Sequence, residues 1–240
     1  MSSKTKIEWT ETTWNPITGC SKHSTGCKNC YAAVFAKRLK AMKNIRYSNG
    51  FDVTIHRDIF DRPLSWKTPR LVFANSMSDM FHKDVPDDVI LELFEIMGQA
   101  KQHTFQILTK RSERLAKMSG RIKWTDNIWM GVSIEDDAAL SRADDLRKTG
   151  AKVKFISAEP LLSSLSDLNL AGIDWLIVGG ESGHKARPME KQWAEELQKK
   201  AEESNTAFFF KQWGGWNKKK TGNLLNGVEY KEWPELAKSD

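Results

Sequence analysis

Apolar residues along this chain come in short, nearly unbroken runs divided by polar turns and by stretches of helical spacing. RLVFAN (70–75), TFQILT (104–109), NIWMGV (127–132), KVKFIS (152–157), DWLIV (174–178) and AFFFK (207–211) are each a strand's length and rich in β-branched and aromatic side chains. Such runs predict strands buried on both faces. Thr12–Ile17 predicts one more strand ahead of them. Between the runs the period changes. Tyr31–Met42 places Ala32, Ala33, Phe35, Ala36 and Leu39 at helical spacing. Pro86–Gln99 opens with a proline and two aspartates, which suit a helix's first turn. Further helices are predicted over Ser112–Met118, over Asp137–Lys148 ending at Gly150, and over Glu190–Glu203. Strands alternating with helices predict right-handed βαβ units, a parallel sheet and an α/β fold.

No stretch reads as a long linker, so residues 1–240 are expected to form a single domain. Asn44–Lys67 has little periodicity and reads as an insertion, and 214–240 as a polar, aromatic C-terminal extension. The longest apolar runs fall far short of the roughly 20 residues that span a bilayer. MSSKTKIEW has no apolar segment of a secretory signal. No membrane association and a cytoplasmic location, where thiols stay reduced, are therefore expected.

That expectation changes how the cysteines are read. All three, Cys20, Cys27 and Cys30, lie within eleven residues of one loop after the first strand. Clustered cysteines in a reducing compartment indicate metal or redox chemistry. Two readings of C-x6-C-x2-C compete. With His23 the loop supplies four ligands, enough to close a structural zinc site. Without it, three thiolates hold an iron–sulfur cubane and leave one iron open, much as a catalytic zinc keeps an open position.

The loops after the other strands bring further chemistry to the same end of a parallel sheet, where such folds carry their sites. In order they are Asn75-Ser76-Met77-Ser78-Asp79, Thr109-Lys110-Arg111, Ser133-Ile134-Glu135-Asp136, Ser157-Ala158-Glu159-Pro160, Gly179-Gly180-Glu181-Ser182-Gly183 and Lys211-Gln212. Ser-x-Glu occurs twice, and the glycine-rich turn follows an apolar run. A ring of functional groups around one mouth is expected. P-loop and Ser-His-Asp signatures are absent, which argues against nucleotide hydrolysis and acyl transfer. The net charge of +6 and ten tryptophans, several beside lysines as in KQWGGWNKKK, point to an anionic partner such as nucleic acid.

The cysteine loop resembles that of the radical S-adenosylmethionine (SAM) superfamily, with two departures. The first gap is longer than the usual C-x3-C, and Asn29 stands at the usual aromatic position. A resemblance over nearly the whole chain is carried by TTWNPITGCSKHSTGCKNCYA, VFANSMSDMFHKDVP, FQILTKR, GVSIED, KFISAEPLL, DWLIVGGESG and FFKQWG. These phrases resemble the phage-encoded three-cysteine-motif family, which is regarded as radical-SAM-like.

The resemblance implies a partial TIM-type (β/α)6 barrel of parallel strands. It implies a [4Fe-4S] cluster on Cys20, Cys27 and Cys30, whose open iron binds SAM. A 5′-deoxyadenosyl radical would then abstract hydrogen from substrate, with the protein supplying position and dryness. Lys110 or Arg111 would meet the SAM carboxylate. The spore photoproduct lyase branch has a similar Thr-Lys after its third strand, which favours Lys110. Ser76, Ser78 and Asp79 would meet the ammonium, and Ser133 and Glu135 the ribose. The superfamily's Gly-Gly-Glu follows strand two, whereas Gly179-Gly180-Glu181 follows strand six here, so Glu181 is expected toward substrate or adenine instead. Glu159 is expected among the cofactor-binding residues, and Lys211 and Gln212 at the substrate end.

Implied partners are the three-Cys-motif partner protein, a flavodoxin or ferredoxin as electron donor, and a DNA, RNA or nucleotide substrate for modification or repair. A peptide or protein substrate, or a zinc-stapled nucleic-acid-binding protein without enzymatic activity, are the alternatives.

Overall fold

The computed structural model describes residues 5, 7–216 and 218–235. The start of MSSKTK and, within the C-terminal extension, Asn217 and residues 236–240 lie outside them. Among the described residues seven strands form one sheet: β1 (Thr12–Trp14), β2 (Leu71–Ala74), β3 (Thr104–Thr109), β4 (Ile128–Ser133), β5 (Val153–Ala158), β6 (Trp175–Gly179) and β7 (Ala207–Gln212). Each pairs in parallel with the next in sequence. Stepping one strand over at every crossing builds a curled half-barrel of seven strands, the number read from the sequence and one more than the (β/α)6 barrel that the resemblance implies.

The crossings are α1 (Tyr31–Ala41), α2 (Asp87–Gln99), α3 (Ser112–Met118), α4 (Ser141–Arg147) and α5 (Lys191–Glu203). The crossing from β5 to β6 has no helix among the described residues; Leu161, Leu165, Leu168 and Leu170 fill its place in the core.

Alternation along each strand sorts the two faces. Val72, Ile107, Met130, Ile156, Leu176 and Phe208 face the helices and join the main core. Phe73, Trp129, Phe155, Trp175 and Phe209 face the lumen with Trp9 and form a second cluster. Trp175 stands at its centre, with ring contacts to Trp9, Trp129, Phe155 and Phe209 at 5.7–6.3 Å between centroids. Gly131, level with Phe155 and Trp175, leaves room for the Phe155 ring, and toward the strands' C-terminal ends the same face continues with Ser133, Ser157 and Gly179, with Ile177 beside Ser157.

Several predicted elements shift for local reasons. Thr12–Ile17 is not one strand. Pro16 has no N–H to continue the ladder, and the Asn15 side-chain carbonyl accepts instead from Ser76 Oγ (3.1 Å) and Met77 N (3.0 Å). Beyond the break Ile17–Thr18 pairs antiparallel with Thr54–Ile55. The insertion thus has a task, since it backs the cysteine loop. Cys20 N donates to Phe51 O at 3.0 Å. Gly19, at φ +87°, packs so close that a Cβ would stand 2.1 Å from Asp52 O. The predicted helix 137–148 divides into a 3-10 turn, Asp137–Ala139, and α4, which aims Arg142 back at the Ser133 carbonyl (2.6 Å).

The C-terminal extension folds back along β7. Leu224–Leu225 and Val228–Glu229 form a hairpin around Asn226 and Gly227, both at positive φ. Phe210 N then donates to Tyr230 O and Glu232 N to Phe208 O, at 3.0 and 3.1 Å, covering the free edge of the sheet.

Candidate functional site

At the C-terminal mouth Cys20, Cys27 and Cys30 line one cavity of about 950 Å³. Cys27 ends a 3-10 turn (Thr25–Cys27), and Cys30 occupies the cap position of α1, so the chelating pair spans the entry to a helix. All three are half-buried free thiols. Lys22, Lys28, Arg38, His184 and Lys185 also line the cavity, and no aspartate or glutamate does among the described residues. His23 is exposed and is not part of this wall. Among the described residues no group of three or more His, Cys, Asp or Glu side chains is drawn together tightly enough to grip a single ion. Three thiols on a shared wall suit a larger inorganic group, which meets its ligands at separate corners.

The acids named from the sequence stand around the cysteine loop, and each is paired with a cation. Asp79 is buried: Oδ1 accepts from Thr109 Oγ1 (2.7 Å) and Phe81 N, and Oδ2 accepts from Lys110 N and from Arg111 Nη1 (2.8 Å). Arg111 carries that anchor onward, donating to Cys20 Sγ at 3.5 Å and to Ser21 O at 3.0 Å. The Ser21 hydroxyl also meets the buried His82 Nε2 at 2.6 Å. Burial first, then the Asp79 charge, pushes the Cys20 thiol up to about 11, with Arg111 pulling the other way. A thiol raised this far is protonated at neutral pH, so a metal bound there would have to displace the proton.

Glu135 is fully buried after β4. Its carboxylate accepts from Arg142 Nη1 (2.8 Å) and from Ser24 of the cysteine loop, and Lys110 Nζ stands 3.9 Å away. Burial pushes Glu135 up, but Lys110, Ser24 and Arg142 together hold it below the usual carboxylate range. Its neighbour Asp136 accepts from Thr25 of the same loop. Glu181 accepts from Arg187 Nη2 (2.6 Å), Arg187 Nε and N (both 2.9 Å) and Asn29 Nδ2 (3.0 Å). Burial opposes ionisation there too, yet the Arg187 and Asn29 donors lower the carboxyl to about 2. Arg187 also donates to Thr25 O at 3.0 Å. The loops after β3, β4 and β6 therefore hold the cysteine loop at Ser21, Ser24, Thr25 and Asn29.

The remaining named residues sit farther round the mouth. Ser76 Oγ donates to Asn15, and Ser78 Oγ to Ile17 O at 2.9 Å. Ser133 is buried in the lumen. Glu159 pairs with Lys211 Nζ at 2.9 Å and accepts from Ser157 Oγ at 3.1 Å. Gln212 Nε2 donates to Ser182 Oγ at 2.7 Å. Gly180 serves a close approach between two loops: a Cβ on it would lie 2.1 Å from Trp213 O, and one on the facing Gly214 2.3 Å from Glu181 O.

Sequence reasoning missed Arg142, Arg187 and Asn15 as site residues. Arg142 lies on a helix and Arg187 in a loop, with no motif spacing to mark either. The tryptophans are mostly core. Trp9, Trp14, Trp129 and Trp175 are buried, whereas Trp216 is 81% exposed.

A half-barrel whose strand ends converge on three thiols and a cationic cavity defines the class of site. The chain belongs to the family described as a protein of unknown function, DUF5131, whose profile matches residues 4–234. No curated protein matches the sequence at a significant level. Among solved structures, the chain is similar to spore photoproduct lyase complexed with dinucleoside spore photoproduct, with TM-score 0.52 and 15% identity, over 85% of this chain and 64% of that one. A cysteine-to-serine mutant of the lyase gives TM-score 0.53 at 16% identity with the same coverage. A double mutant with bound AdoMet and the dinucleoside photoproduct gives 0.50 at 14%, again with that coverage. The chain thus spans 64% of the length of the lyase chains it matches, and the likeness is one of fold. No helix among the described residues is long and apolar enough to cross a membrane.

Proposed function

We propose that this chain is a radical SAM enzyme that holds a [4Fe-4S] cluster on Cys20, Cys27 and Cys30 and acts on nucleic acid. The observation that carries the reading is the placement of all three thiols on the wall of one open cavity at the strand ends of a half-barrel. The fold likeness to a lyase solved with AdoMet and a dinucleoside photoproduct supports it. When bound, the cluster and SAM would supply one-electron reductive cleavage of the sulfonium, the electron coming from the donor and methionine leaving, and so a 5′-deoxyadenosyl radical able to abstract a hydrogen atom.

The protein's own part is to position and to keep dry. Lys110, loosely held beside Glu135, is the proposed partner of the SAM carboxylate. Ser76 and Ser78 present hydroxyl lone pairs for the ammonium, and Ser133 an acceptor for the ribose, while Glu135, fully buried against Arg142 and Ser24, braces the cysteine loop instead. Asp79 and Glu181 act one step back: their carboxylates fix Arg111 and Arg187, which hold the cysteine loop. Glu159 and Lys211 form the polar pair on the substrate side. Lys22, Lys28, Arg38 and Lys185, with no acid beside them in the wall, favour a polyanionic substrate. The electron donor is proposed to be a flavodoxin or ferredoxin.

Anaerobic purification with iron and sulfide counted per chain tests the reading. The expected result is about four irons and four sulfides per chain, lost in Cys27→Ala and retained in His23→Ala. Stoichiometric zinc without sulfide, released by His23→Ala, would replace it with a zinc-stapled binding protein.

A further inference from the structure

The cavity wall runs outward into an exposed aromatic track. On α1, Tyr31 and Phe35 stand one turn apart, 58% and 45% exposed, with Arg38 following on the same wall. An amphipathic helix ordinarily turns such rings to the core, but α1 buries only Ala32 and Ala36. From the glycine-rich loop, His184 also lines the cavity and meets Trp216 edge-on at 5.9 Å between ring centroids. Trp216 is 81% exposed. Two banks of exposed rings therefore border one cavity whose charged lining residues are all cationic among the described residues.

Resting on the proposed nucleic-acid substrate, we propose that these banks bind single-stranded nucleic acid. Bases stack on Tyr31 and Phe35 and on Trp216, and phosphates run along Arg38 and Lys185. The chemistry discriminates between forms. A duplex keeps its base faces stacked on each other, so it gains nothing from exposed rings; an unpaired strand offers a π-face and a phosphate at every nucleotide. A free nucleotide has one base and occupies one bank, whereas α1 and Trp216 offer two. Rings interleaved with cations form a stacking platform inside an electrostatic funnel.

Fluorescence anisotropy of the full chain, prepared anaerobically, with labelled oligo-dT, oligo-U and a duplex of equal length tests this. Both single strands are expected to bind at least about tenfold tighter than the duplex, with log affinity falling linearly against log salt. Phe35→Ala and Trp216→Ala should each weaken single-strand binding by about 5- to 100-fold, while Phe35→Tyr restores it. Whichever of oligo-dT and oligo-U binds tighter identifies the strand chemistry. Iron and sulfide per chain should not change in these surface variants. Duplex binding as tight as single-strand binding, or single-strand binding indifferent to both alanine substitutions, overturns the inference. So does a dimer in sedimentation that Phe35→Ala dissolves, which would assign the face to a second copy of the chain. Failure of the metal count is a separate result, since the anisotropy does not depend on it.

Discussion

Arg111 links three groups that have to keep register: the buried Asp79 carboxylate, the Ser21 carbonyl and the Cys20 sulfur. A guanidinium donating to a ligating sulfur favours the more electron-rich state of whatever that sulfur binds. Arg111→Ala is therefore expected to move the reduction potential of the proposed cluster to a more negative value, read by redox titration followed by EPR, with Arg111→Lys recovering part of the shift. An unchanged potential would reduce Arg111 to a loop tether. Glu181 makes a second prediction at this scale. Its carboxyl is brought down to about 2 in the folded chain from an ordinary 4.5. A depressed value contributes stability that is complete above the ordinary value and lost as pH falls through it toward about 2. Wild type should therefore melt increasingly close to Glu181→Gln as pH drops from about 5 to 2. A constant gap between the two would contradict the pairing.

Six of the seven strands were legible to within one residue at either end because a parallel strand covered on both faces is apolar almost without interruption; Thr12–Ile17 was the exception, ending at Trp14. What was hidden in the sequence lay in contacts between elements. The break at Pro16 needed Asn15 to bridge to the loop after β2. The glycine-rich turn 179–183 was visible, but the reason for Gly180, backbone packed on the Trp213–Gly214 backbone, belongs to two loops some thirty residues apart. Gly180→Ala is accordingly expected to lose about 1–3 kcal/mol from overpacking, measured by urea denaturation. Wild-type stability would show that the two loops can part. The candidate acids were legible as loop residues, and their places around the cysteine loop follow from the topology. Their pairing with Arg142 and Arg187 was not legible, because no sequence period relates a loop carboxylate to a cation on a helix or in a later turn.

At the scale of the whole molecule the half-barrel divides into an aromatic floor and a polar mouth. Trp175 joins the floor to the returning tail, where its Nε1 donates to Glu232 O at 2.9 Å and its ring lies 4.8 Å from that of Trp233. Trp175→Ala is expected to cost about 3–5 kcal/mol and to expose the edge of β7 that the tail covers. A loss below about 1 kcal/mol on denaturation would contradict that central place in the packing. The mouth carries the central claim, that three thiols hold an iron–sulfur cluster with one iron open to SAM. EPR of the anaerobically prepared, dithionite-reduced chain, recorded with and without SAM, tests it most directly. The account predicts the spectrum of a reduced [4Fe-4S] cluster that changes when SAM is added. A cluster spectrum indifferent to SAM, or no cluster signal from a chain that carries zinc, would contradict it.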